Sequence, residues 1–127
     1  MMTTINIYAA WIAFLAGITA GAVSGMLFYN KEWLGGYTSW RRRMLRLAHI
    51  SFFGLGLLNL AFAFTAKQQG MTNRLTLSSI LLVVGLATMP LICYLSAWKP
   101  AFRHIFFIPV VSVFTGTTIF LWRLLFI

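Results

Sequence analysis

The chain has 127 residues, of which 61% are hydrophobic and 9% charged, with a mean hydropathy of +0.88. So little charged surface cannot cover a water-soluble globule, which excludes a soluble domain and every function that needs one. The formal net charge of +9 would suggest nucleic acid in a soluble protein, but most basic residues here flank apolar runs. Anionic lipid head groups are their expected partners, and nucleic acid is not.

Runs of 18 or more apolar residues mark membrane-spanning helices, because a bilayer core takes roughly 20 residues at 1.5 Å each. Four such runs fit, over residues 8–29, 44–66, 75–98 and 102–126. With short connections they use the whole chain, so the expected fold is an all-α, four-transmembrane-helix bundle forming a single domain. MMTTIN has no basic segment before its apolar run and no polar cleavage region after it, so no cleavable signal peptide is expected.

The first span carries Ala13, Gly17, Gly21 and Gly25, a small residue at every fourth position. Such a stripe lets another helix approach closely, within the bundle or from a neighbouring subunit. Tyr8, Trp11, Phe28 and Tyr29 sit near its ends, where amphipathic rings favour the interface. The longest loop follows, from Asn30 to Arg43, with Glu32 as the only acidic residue of the chain. Trp33, Tyr37 and Trp40 place this loop at the level of the head groups.

Trp40 to Leu60 is the most informative stretch. Arg41, Arg42 and Arg43 end where the second apolar run begins, Arg46 lies one turn further, and His49 follows it. Gly54, Gly56 and Asn59 interrupt the run; Asn59 is expected to make an interhelical hydrogen bond. The third span contains Cys93, read as a small packed thiol, and Pro90, which predicts a kink over 86–90. Met89 beside Pro90 reads as filling that kink. Lys99-Pro100 forms a tight reversal, and Pro109 is placed one to two turns into the fourth span, where a second kink is expected. Ser112 and Gly116 repeat the small-residue spacing, while Thr115, Thr117 and Thr118 can bond back to the helix backbone.

Charge sets the orientation. Lys31, Arg41, Arg42, Arg43, Arg46, Lys99 and Arg103 fall on the side of the first and third loops, against Lys67, Arg74 and Arg123 on the other. The positive-inside rule then puts those two loops in the cytoplasm and both termini outside, in a cytoplasmic (inner) membrane.

No catalytic constellation is present in the sequence. Glu32 lies in a loop, so a buried carboxylate for acid–base work is missing, and zinc would find only two histidines and one cysteine. The expected function is therefore that of a non-catalytic subunit of a larger membrane complex, redox or energy-converting, with other membrane subunits as partners. The alternative is an electron-transfer subunit binding haem b. His49 and His104 open the second and fourth spans at similar depth, and two imidazoles on parallel helices can supply both axial ligands to the iron. Arg46 and Arg103, with Arg43 and Lys99, would meet the propionates, and Gly54 or Gly56 would make room for the porphyrin. A small transporter or channel ranks third, because no intramembrane acid lines a pathway.

Overall fold

The computed structural model describes residues 2–71 and 74–126. Among these residues it is all helix: α1 (Met2–Phe28), α2 (Trp40–Gln68), α3 (Thr76–Trp98) and α4 (Phe107–Leu125), with 3-10 turns at Trp33–Gly35 and Pro100–Ile105. All four helical segments, the last taken together with its 3-10 entry, are long and apolar enough to cross a membrane. Consecutive helices run antiparallel. One end of the bundle therefore carries the 29–39 loop and the Pro100 turn, and the other carries both termini.

The starts of α1, α2 and α4 differ from the sequence expectation, α1 beginning at Met2 rather than at residue 8. α2 begins at Trp40, four residues early, so the arginine run is helical. Ser39 is the reason: its backbone is extended and its side-chain oxygen accepts from the Arg42 N–H at 3.2 Å, capping the helix ahead of the arginines. α4 begins late, at Phe107. Pro100 initiates a 3-10 segment first, which brings Pro109 into the first turn of α4. There a proline has no intrahelical N–H bond to lose, so the kink expected at that position has no cause. Pro90, by contrast, lies inside α3, which continues through it.

The packing order follows the small residues. α1 packs along α2, α2 along α3 and α3 along α4, with a lighter contact between α1 and α3. Between helices in lipid there is no hydrophobic driving force, so close packing and hydrogen bonds must supply the association. The core matches that requirement. Ala10, Ala13, Ala48, Ala63 and Ala66 are buried, while large side chains such as Trp11, Leu15, Phe114 and Trp122 point outward, onto a surface that a bilayer would cover.

The glycine stripe of α1 turns toward α2, within the chain's own bundle. What it receives is side chain rather than backbone. A Cβ added at Gly17 would meet the Phe53 ring at 2.8 Å and Phe52 Cβ at 3.0 Å, and one at Gly21 would overlap the His49 ring. At Gly25 an added Cβ would meet nothing within 4 Å, so the contact ends one turn before the helix does.

Near the end that carries the termini, three helices are joined by polar side chains. Asn6 Nδ2 of α1 donates to Asn59 Oδ1 of α2 at 2.8 Å and to the Ser79 carbonyl of α3 at 3.3 Å. The Ser79 hydroxyl donates to Asn6 Oδ1. Asn59 Nδ2 donates in turn to the carbonyls of Leu55 (2.8 Å) and Leu82 (3.3 Å). The interhelical bond expected of Asn59 is thus present, and both carboxamides are fully buried. Asn59→Leu should cost about 1–2 kcal/mol, since it removes two interhelical bonds, one to Asn6 and one to the Leu82 carbonyl, and leaves part of Asn6 unpaired. Denaturant titration in detergent measures this, and a variant as stable as the parent would mean that the three helices are held by packing alone.

α4 is attached differently. It leans on α3 through Ser112, whose hydroxyl donates to the Leu81 carbonyl at 2.7 Å, and through Gly116, where a Cβ would lie 3.3 Å from the Ser78 carbonyl. On the α3 side, Gly85 leaves room for Val113, which an added Cβ would overlap. α2 and α4 meet near the termini end, where the Phe62 and Phe120 rings pack edge to face at 4.8 Å between centroids. Toward the other end they part, leaving an open seam of about 550 Å³ walled by residues that include Ile50, Gly54, Met89, Val110 and Phe114.

Candidate functional site

The arginine-bearing end is built by α2 gripping the loop before it. Arg42 is 3% exposed. Its Nε donates to the Trp33 carbonyl at 2.7 Å and its Nη2 to the Asn30 carbonyl. The guanidinium also lies over the Phe28 and Trp33 rings, 5.1 and 5.8 Å from their centroids. A guanidinium suits this position because its planar fork serves two carbonyls while its face stacks on aromatics. Arg43 Nε donates to the Thr38 carbonyl at 3.1 Å. Both terminal nitrogens of Arg46 reach the Tyr37 carbonyl at 3.1 Å, with the guanidinium 4.2 Å from the Tyr37 ring centroid.

Three arginines thus fix one loop, and they do so through backbone oxygens. Those carbonyls carry no formal charge, so the positive charge of the cluster is not neutralised by them. The loop needs the restraint: Leu34 sits at φ +55°, followed by Gly35 and Gly36 at +88° and +94°. Left-handed backbone suits glycine but costs a leucine of order 1 kcal/mol or more. From the α2 side, Trp40 Nε1 donates to the Ser96 carbonyl at 2.9 Å, tying the same end to α3.

Deeper by one turn, His49 faces α1. Its ring overlies Gly21 and packs edge-on to Phe53, with 5.2 Å between centroids. Its Nδ1 is buried and has no hydrogen-bond partner among the described residues. His49 and Arg46 line a cavity of about 190 Å³ between α1 and α2, together with Gly21, Ser24 and Gly25. Phe28 and Leu45 close its remaining walls.

The other candidate residues lie elsewhere. His104 and Arg103 are exposed on the 3-10 segment before α4, a segment that packs on α3. Gly56 faces α1, where Phe14 occupies its space at 2.6 Å from an added Cβ, whereas an added Cβ at Gly54 meets nothing within 4 Å and that residue lines the α2–α4 seam. His49 and Gly54 therefore lie on different faces of α2. The structure does not bring His49 and His104 together: one imidazole is packed against α1 and the other is exposed. Cys93 is fully buried. Among the described residues, no group of three or more His, Cys, Asp or Glu side chains is placed to hold a metal ion.

Sequence reasoning did not single out Ser24 or Asn6. Asn6 lay just outside the expected first span, which began at residue 8; α1 begins six residues sooner. The available signal was the carboxamide itself, which an apolar helix carries only where it finds a partner. No protein-family model, curated protein or solved structure matches the chain.

Proposed function

We propose that this protein is a non-catalytic subunit of a larger assembly in a cytoplasmic membrane, with its arginine-bearing end in the cytoplasm and both termini outside. The observation that carries this reading is the open seam between α2 and α4. A four-helix bundle complete in itself packs its fourth helix against two neighbours along its length. Here α4 rests on α3, meets α2 through Phe62 and Phe120, and leaves about 550 Å³ open beside Gly54. Small residues beside an apolar seam are the features through which helices from another chain pack in lipid.

The test uses the full chain in its native membranes. Gly54→Phe fills the seam at a position with free space, so the chain should keep its fold. Solubilised in mild detergent, the parent chain should migrate as a stoichiometric complex of defined composition, and Gly54→Phe should release it as a single chain. A parent protein that runs as a stable monomer ends the subunit reading.

Orientation has its own test. The seven-to-three excess of basic residues on the side of the 29–39 loop predicts a C-terminus outside the cytoplasm. A reporter that is active only in the cytoplasm should be silent when fused after Ile127 and active when inserted at Tyr37. The opposite pattern would invert the proposed topology.

A further inference from the structure

The α1–α2 cavity at the arginine-bearing end combines features that packing alone does not explain. A buried imidazole nitrogen with no partner is costly in a low-dielectric interior, and native proteins leave few such atoms. The same 190 Å³ space is lined by Arg46, Ser24 and the unfilled face of Gly25. Tyr37 holds the guanidinium by its carbonyl and its ring, so the positive charge is positioned without being neutralised. The only carboxylate side chain in the sequence, Glu32, is exposed in the loop.

A fixed cation, a hydroxyl and an imidazole around one small space suit an oxyanion. Arginine is the side chain best matched to phosphate oxygens, and basic pockets between membrane helices near the cytoplasmic face take lipid head groups. A second, larger apolar space of about 760 Å³ shares Ser24 and Leu45 with this cavity. Its walls include Ile12, Leu15, Ala16 and Val23 of α1, a surface suited to an acyl chain.

We propose that the cavity between α1 and α2 is a binding site for the phosphate of an anionic lipid head group, received by Arg46, His49 and Ser24. The lipid supplies the counter-charge that the Tyr37 carbonyl does not give the arginine, and a hydrogen-bonding partner for the His49 ring. Its chain lies against the adjoining groove of α1. The site is separate from the α2–α4 seam, so it stands whether or not the chain belongs to a complex.

Native mass spectrometry of the full-length protein tests this, with release from detergent micelles doped with phosphatidylglycerol or phosphatidylcholine. The parent chain should retain one phosphatidylglycerol and release phosphatidylcholine. Gly25→Leu fills the cavity from a position where an added Cβ meets nothing within 4 Å, and should lower retention about tenfold. Arg46→Gln should do the same by removing the charge, and carries the test should Gly25→Leu fail to fold. Equal retention by the parent and a folded variant overturns the site. Equal retention of the two lipids overturns the anion, and displacement by excess inorganic phosphate overturns the lipid in favour of a soluble oxyanion.

Discussion

Arg42→Ala is expected to lower stability by about 2–3 kcal/mol, the largest loss for any single substitution at the arginine-bearing end. The side chain is 3% exposed and donates to two carbonyls, those of Trp33 and Asn30, from beneath two aromatic rings. Hydrogen bonds from a charged donor contribute about 1.5–3 kcal/mol, more than neutral ones, and truncation also leaves a void over the Phe28 and Trp33 rings. Arg42→Lys should recover little of this, because an ammonium on a flexible stem cannot fork between two carbonyls and stack at once. Arg41, exposed beside it, is the control: Arg41→Ala should stay within about 0.5 kcal/mol of the parent. Unfolding midpoints in detergent give the order directly. If Arg42→Ala matched Arg41→Ala, the loop would be holding its own shape and the arginine would be incidental.

Gly21→Leu is expected to cost about 1–3 kcal/mol, as overpacking does in a close-packed interior. The added Cβ would lie 2.4 Å from His49 Cε1 and 3.0 Å from its Nδ1, so either the imidazole swings away or α1 and α2 separate. Phe53 packs edge-on against the His49 ring and blocks its movement in that direction. Gly25→Leu, one turn along the same stripe, should be tolerated, since no atom lies within 4 Å of its added Cβ. The two variants have identical chemistry and differ only in what stands opposite. Combining Gly21→Leu with His49→Ala should restore part of the lost stability, with a coupling energy of about 0.5–3 kcal/mol, because the clash lies between those two side chains. Strict additivity in that double variant would show that the leucine acts elsewhere.

Much of the architecture could be read directly from composition. Four apolar runs of membrane-crossing length, separated by short polar turns, allow few arrangements other than antiparallel helices, and the bounds of α3 differ from expectation by a single residue. The ends of α2 and α4 were harder, because hydropathy registers where lipid begins rather than where hydrogen bonding begins. Ser39 caps α2 from within a polar segment, and Pro100 opens a 3-10 turn that no hydropathy pattern distinguishes from helix.

At the candidate site, the special character of Arg46 and His49 was legible from their position one and two turns inside an arginine cluster. Their direction was not. A depth argument places His49 and His104 at one level, but rotation about the helix axis decides which neighbour each meets. That rotation is set by the fit of His49 over Gly21 and of Phe14 over Gly56, which are contacts between distant parts of the chain. The stripe of small residues on α1 likewise announced a contact while leaving its partner open.

The Asn6–Asn59–Ser79 cluster also bears on the order in which the chain can assemble as it leaves the ribosome. Asn6 and Asn59 can pair within the α1–α2 hairpin alone, so that hairpin would bring its two carboxamides into a bilayer as a bonded couple. The remaining valences are met by the first turns of α3, through the Ser79 hydroxyl and the Ser79 and Leu82 carbonyls. Every bond of the knot therefore lies at or before residue 82, and α4 supplies none of them. The knot thus needs only the first three helices, and α4 rests on α3 outside it.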